Sequence, residues 1–77
     1  MKTKISKVWV DSNAVYVQTE NGKTFSRLFN DFPLLRNATE KERAAFQAGK
    51  CGIRWNAIDE DLSYDGFFKP SKNVYWN

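Results

Sequence analysis

Four acidic residues cluster in the last third of the chain, at Asp59, Glu60, Asp61 and Asp65. Closely spaced carboxylates can bind a divalent cation, and the nearest template is the calcium loop, whose ligands alternate before a glycine and a distant glutamate. Asp59, Asp61 and Ser63 match the first three ligand positions. Tyr64 stands in place of the glycine and Pro70 in place of the glutamate. The pattern is therefore broken, and we predict no metal ligands here.

The same acids could serve as a general acid and a general base, as paired carboxylates do in glycosidases. Neighbouring acids do not flank a substrate from two sides, however, and exposed carboxylates are both ionised near neutral pH. A structural role fits better, because Ile58 and Leu62 are spaced to pack inward. Asp59 and Asp61 then point outward or accept hydrogen bonds from backbone amides, and Arg54 pairs with one of them.

The residue types present exclude several classes of enzyme. Histidine is absent, which removes the usual acid–base side chain near neutral pH and the commonest ligand of transition metals. The single cysteine, Cys51, cannot form a disulfide within the chain and is predicted to be a small buried hydrophobe. Four scattered glycines do not form a Walker loop or a dinucleotide-binding loop. We therefore predict a non-enzymatic protein with no catalytic residue and no cofactor.

The length and composition indicate one small domain. The chain has 77 residues, of which 42% are hydrophobic and 16% aromatic, so a few large rings must build most of the core. Its net charge of +3 permits nucleic-acid binding without requiring it. No apolar run reaches the ~20 residues of a membrane span, and one cysteine fits a reducing compartment. We expect a soluble cytoplasmic protein with a domain over residues 1–68 and a tail over residues 69–77.

The first half of the chain has the pattern of an antiparallel meander. Residues 4–10, 14–19 and 24–29 are rich in β-branched and aromatic side chains, and turn-forming residues separate them. Asn21-Gly22 between the second and third segments favours a tight type I′ hairpin turn, which needs positive φ at both residues. Three consecutive strands are therefore predicted.

The second half predicts short helices and one more strand. Asn30 or Asp31 can cap a short helix with Pro33 in its first turn. A capping box at Thr39 and Glu42 then starts a helix that runs on to a left-handed stop at Gly49. Residues 51–55 read as a strand, and Ser63 can cap a final helical turn. The fold class expected is α+β, a three- or four-stranded antiparallel meander with a short helix pair packed on it.

Exposed rings beside lysines would suggest nucleic-acid binding, since bases stack on aromatic side chains. The candidate rings are Trp9, Tyr16, Phe25 and Trp55. A small domain with few aliphatic residues needs its rings in the core, and we favour that interpretation. Lys2, Lys4 and Lys7 could contact phosphates, but on an edge strand they would more often prevent unwanted pairing between sheets.

The segment GIRWNAIDEDLSYDGFF, with the NGK turn and FPLLRNATEKERAAFQ before it, resembles the bacterial family of domain of unknown function twenty-four forty-two. The resemblance extends over residues 5 to 68. It implies a small α+β domain, often encoded beside another small protein in an arrangement like a toxin–antitoxin pair. Some longer relatives join this domain to a helix-turn-helix domain that binds DNA. The resemblance supplies no catalytic residues.

Our main functional hypothesis is a protein-interaction module that binds a small partner protein, as the antitoxin-like half of a two-gene pair. The residues predicted to bind the partner are Arg54, Trp55, Asp59, Glu60 and Asp61. Acidic side chains would meet a basic partner, and the indole would supply contact area. The alternative is a regulatory nucleic-acid-binding domain that uses Lys2, Lys4 and Lys7. Open sheet edges would also allow a homodimer.

Overall fold

A three-stranded antiparallel sheet forms the first part of the chain. The computed structural model describes residues 4–68. Strands β1 (Ile5–Val10), β2 (Ala14–Thr19) and β3 (Thr24–Leu28) lie in the order β1-β2-β3, which confirms the predicted meander. Val15 and Val17 of the central strand are completely buried, so one face of the sheet packs on the core. The other face is directed outward, as the alternation of side chains along a strand requires.

The turn between β2 and β3 is longer than predicted. Gly22 has a φ of 92°, but Asn21 does not have a positive φ, so this is not a type I′ turn. Thr19 closes a wider loop instead: its amide donates to the Lys23 carbonyl at 2.8 Å, and its Oγ1 accepts from the Lys23 amide at 3.1 Å. The backbone amide and the hydroxyl of Thr19 therefore supply the bonds that hold the four-residue connection.

The helices are all short. A 3₁₀ turn (Phe29–Asp31) leads into α1 (Pro33–Arg36). Pro33 occupies the first turn as predicted, but Phe32 is the N-cap, so the capping role expected for Asn30 or Asp31 is wrong. Helix α2 (Glu40–Ala44) begins with the predicted capping box, in which Thr39 and Glu42 bond to each other's backbone amides at 3.1 and 2.9 Å.

A second three-stranded antiparallel sheet follows, rather than one sheet extended by a fourth strand. Its strands are β4 (Gln47–Ala48), β5 (Gly52–Trp55) and β6 (Glu60–Ser63), in the order β4-β5-β6. The predicted long helix ends early because residues 47 and 48 pair with residues 54 and 53 of β5. Gly49 does not have a positive φ, so it is not the predicted helix stop. Strand β5 itself was predicted.

One buried cluster joins both sheets, the first 3₁₀ turn and two of the three helices. Its members are Val15, Val17, Phe29, Leu35, Ile53, Trp55, Leu62, Tyr64 and Phe67. Helix α3 (Asp65–Phe68) closes the cluster beside β3, where Arg27 Nη1 donates to the Gly66 carbonyl at 2.8 Å. Ser63 lies one residue before the N-cap position, Tyr64, so it is not the predicted cap; its Oγ instead accepts from the Asp65 amide at 3.1 Å, in a serine turn that leads into the helix. The predicted tail, residues 69–77, lies outside the described residues.

Candidate partner-binding site

The β5–β6 hairpin directs its charged residues away from the core. Because side chains alternate along a strand, Ile53 and Trp55 point inward and Arg54 points outward. Asp61 lies directly opposite Arg54 in the antiparallel register. A 3₁₀ turn (Asn56–Ile58) and Asp59 connect the two strands. The hairpin thereby places Arg54 between the two aspartates on one exposed surface.

Arg54 uses three nitrogens to hold this surface together. Its Nη1 donates to Asp61 Oδ2 at 3.1 Å, its Nη2 donates to Asp59 Oδ1, and its Nε donates to Asn56 Oδ1 at 2.9 Å. Asn56 in turn donates to Gln47 Oε1 at 3.1 Å, which connects the group to β4. The sequence predicted one ion pair, and the structure contains two. We call Arg54, Asp59 and Asp61 the arginine–aspartate cluster.

The cluster is acidic and open to solvent. The side chains of Asp59 and Asp61 are 88% and 70% exposed. One carboxylate oxygen of each aspartate accepts a hydrogen bond from Arg54. The other oxygen of each accepts no hydrogen bond from residues 4–68. The bond from Asp59 raises the pKa of the Arg54 guanidinium, a group that is charged at any physiological pH. With one cation and two anions, the cluster has a net negative charge and two carboxylate oxygens available to a partner.

Trp55 and Glu60, the other two predicted contacts, differ from this pattern. Trp55 is 0% exposed and its Nε1 donates to the Arg43 carbonyl at 2.9 Å, so the prediction that its indole contacts a partner is wrong. Its position on the inward face of β5 makes it a core residue. Glu60 is partly exposed, and its Oε1 accepts from the Asp61 amide at 2.9 Å. It therefore lies beside the cluster and supports its backbone.

A second surface occupies the outward face of the first sheet. Trp9 and Tyr16 are opposite each other on β1 and β2, and their rings stack with centroids 5.4 Å apart and planes 7° apart. The Lys7 Nζ lies 5.4 Å from the Trp9 ring centroid. Lys4 is exposed at the start of the same sheet, and Lys2 lies outside the described residues. These two rings are exceptions to the prediction that the aromatic residues are core, whereas Trp55 lies in the buried cluster and Phe25 packs against it, as predicted.

Asp11 orders the β1–β2 turn at one end of this surface. Its Oδ1 accepts from the amides of Asn13 and Ala14 at 2.8 and 2.9 Å. Its Oδ2 accepts from the Tyr16 hydroxyl at 2.7 Å. The tyrosine bond, followed by the bond from Asn13, lowers the pKa of Asp11, and the same tyrosine bond raises the pKa of Tyr16. Asp11 is therefore a fixed negative charge beside Trp9 and Tyr16.

Sequence reasoning missed the role of Arg43. Its Nε and Nη2 donate to the carbonyls of Leu35 and Arg36, both at 2.9 Å, and its Nη1 donates to the Ser12 carbonyl at 3.2 Å. The guanidinium carbon also lies 4.9 Å from the Phe29 ring centroid. One arginine in a helix-forming segment gives no sign of such contacts. Only the fold brings these distant carbonyls around it.

No group of three or more histidine, cysteine, aspartate or glutamate side chains in the part of the chain described here is arranged to hold a metal ion. Cys51 is exposed rather than buried, which corrects the prediction of a core cysteine, because it lies in the loop before β5. No helix between residues 4 and 68 is long and apolar enough to cross a membrane.

These features define a small α+β domain with two three-stranded antiparallel sheets. The chain belongs to the family described as protein of unknown function (DUF2442), whose profile matches residues 5–73 and confirms the predicted resemblance. It is similar to the crystal structure of a protein of unknown function from Rhodospirillum rubrum, with a TM-score of 0.75 and 28% identity. That similarity covers 88% of this chain and 87% of the other. No curated protein matches.

Proposed function

We propose that this protein is a non-enzymatic protein-interaction module that presents its arginine–aspartate cluster to a basic surface of a small partner protein. The partner need not induce the site, because Arg54 already holds both carboxylates in place. A preformed recognition surface loses less conformational freedom on binding than one made of free side chains. The antitoxin-like half of a two-gene pair, which the family resemblance implies, is the biological setting that we propose.

One observation carries this proposal, namely the pair of outward carboxylate oxygens on Asp59 and Asp61. Arg54 compensates one of the two negative charges, so the aspartates are not left repelling each other. The remaining negative charge and the two oxygens suit lysine or arginine side chains of a partner, which donate several N–H groups to such acceptors. Charge complementarity of this type accelerates association and selects between partners.

The test starts with capture of the partner from the host by tagged protein, at low and at high salt, and continues with calorimetry on the purified pair. In the variant Asp59→Asn with Asp61→Asn, both negative charges disappear while the side chains keep their size. We expect affinity to fall by about tenfold or more, since charge-assisted hydrogen bonds become neutral ones. The thermal melt should change little, because both side chains are exposed.

The matched control is Glu20→Gln, which removes a negative charge from an exposed residue in the β2–β3 turn. Affinity should remain unchanged in this variant. Equal affinity of the wild type and the double asparagine variant would contradict the proposed surface. A partner that binds the wild type through an acidic surface would contradict it as well.

The stacked rings of Trp9 and Tyr16 favour a second candidate function, which is binding of single-stranded nucleic acid. Stacked aromatic side chains with a lysine nearby are the features on which unpaired bases and phosphates bind. Lys4 and Lys7 are exposed on this sheet, and Lys2 precedes them in the sequence. Binding by this surface would weaken steeply as salt increases, because each phosphate contact releases counterions. A lack of binding to single-stranded nucleic acid at low salt would eliminate this candidate.

A further inference from the structure

Within residues 4–68, strand β1 is an open edge of the first sheet. Among the strands between residues 4 and 68, β1 pairs with β2 alone. The Asp11 amide donates to the Ala14 carbonyl at 3.0 Å, which makes that pair a hydrogen-bonded one. Hydrogen-bonded pairs recur at every second residue of an antiparallel ladder, so Trp9 and Lys7 also bond to β2. The amides and carbonyls of Val8 and Val10 therefore point away from β2, toward the open edge.

An open edge can be matched by a second copy of the same strand about a two-fold axis, which gives antiparallel pairing. The register is restricted, because the outward groups of Val8 and Val10 must both find partners. They do so when Val8 of one copy faces Val10 of the other and Trp9 lies on the axis. A shift by two residues toward the N-terminus would pair Val10 with Ser6, where β1 is bulged. The opposite shift would pair Val8 with Ser12, which lies beyond the strand.

The side chains on the outward face are complementary in this register. Trp9 meets Trp9 of the second copy in a pair without direct hydrogen bonds, where strands approach most closely and aromatic pairs are favourable. Lys7 of each copy then faces Asp11 of the other, so opposite charges meet on both sides of the axis. Asp11 is held in place by Tyr16. The lysine that would otherwise block the edge finds an acidic partner instead.

We propose that two copies of this chain pair through β1 in that register, which joins the two three-stranded sheets into one six-stranded sheet. Its outward face carries a row of four aromatic rings, Tyr16 and Trp9 from each copy. The arginine–aspartate cluster lies on the other sheet and takes no part in the pairing. The homodimer is therefore independent of the partner-binding function proposed above.

Sedimentation equilibrium on the full chain tests the pairing. We expect a concentration-dependent species of twice 9.0 kDa. Lys7→Glu places a glutamate opposite Asp11 of the second copy and should weaken the dimer by about tenfold or more, since like charges directly opposite each other destabilise a strand pair. Lys23→Glu makes the same charge change in the β2–β3 turn, away from the edge, and should leave the dimer unchanged.

Cross-linking tests the register itself. In a background with Cys51→Ser, the variant Trp9→Cys should form a disulfide between copies, because the axis brings residue 9 of both chains within the reach of a disulfide. Lys7→Cys in the same background should not, since it faces Asp11. A circular-dichroism spectrum like that of the wild type establishes that each variant is folded.

Two outcomes would overturn the proposal. A wild-type chain that remains monomeric at all concentrations excludes pairing. A dimer that Lys7→Glu does not weaken, and that folded Trp9→Cys does not cross-link, uses another surface.

Discussion

Asp59 combines a backbone role with a charge. Its φ of 54° is the sole positive φ of a non-glycine residue within residues 4–68. Aspartate and asparagine tolerate the left-handed conformation better than other residues with a Cβ atom. The same residue ends the 3₁₀ turn, and its carboxylate accepts a hydrogen bond from Arg54. The local backbone thus selects a short polar side chain at the point where the proposed site needs an acid.

Substitutions at Asp59 should separate the backbone effect from the charge. Asp59→Val should lower the free energy of unfolding by about 1–2 kcal/mol relative to Asp59→Gly, because a β-branched residue is strained at positive φ. Asp59→Asn should resemble Asp59→Gly. Urea denaturation of the three variants measures the difference. Equal stability of the valine and glycine variants would show that the turn relaxes to another conformation.

Single residues of the site were predictable only in part. The spacing of Ile58 and Leu62 predicted that Asp61 points outward and that Arg54 pairs with an aspartate. Strand β6 was not predicted, and the two ion pairs follow only from its register with β5. The alternation of side chains along β5 places Trp55 inside, but strand 51–55 was predicted without a partner strand, so its inward face was unknown. Arg43 carried no local signal, because its bonds depend on carbonyls brought near it by the fold.

At the scale of elements, predictability followed the strength of the local pattern. The strands of the first sheet were predicted because each contains β-branched and aromatic residues, is long enough to show alternation, and is bounded by turn residues. Strand β4 was missed because it has two residues, Gln47 and Ala48, which favour a helix. Its pairing with β5 overrides that preference. The capping box was predicted correctly because its bonds are local to α2.

The β5–β6 hairpin depends on a close backbone approach at Gly52. A Cβ atom at this position would overlap the Leu62 carbonyl oxygen. Gly52→Ala should therefore push the two strands apart and lower the free energy of unfolding by about 1–3 kcal/mol. Gly49→Ala is the control, because its nearest contact would be an ordinary one, 3.6 Å from the Gly52 carbonyl oxygen. Thermal melts compare them, and equal melting temperatures would contradict the predicted clash.

At the scale of the whole molecule, Arg43 connects parts of the chain that are distant in sequence. Its three carbonyl partners belong to the β1–β2 turn and to the C-terminal end of α1. Its own carbonyl accepts from the Trp55 indole of the second sheet. The residue therefore holds both halves of the molecule around the Phe29 ring. Lysine keeps the charge but cannot reproduce the forked geometry of a guanidinium group.

Arg43→Lys should consequently lower the free energy of unfolding by about 2–3 kcal/mol, the range of one or two hydrogen bonds from a charged donor. Arg36→Lys makes the same substitution at an exposed position of α1 and should change stability by less than about 0.5 kcal/mol. Chemical denaturation of both variants provides the comparison. Equal stability would mean that water replaces the donors of Arg43.

The two sheets are each built from one continuous stretch of chain, residues 5–28 and 47–63. Pairing between neighbouring strands closes short loops, which costs little chain entropy and forms quickly. Contacts that join the halves, such as those of Arg43 and of Arg27 with Gly66, close much longer loops. This division of the chain favours a folding order in which the two sheets form separately and then dock in the slow step.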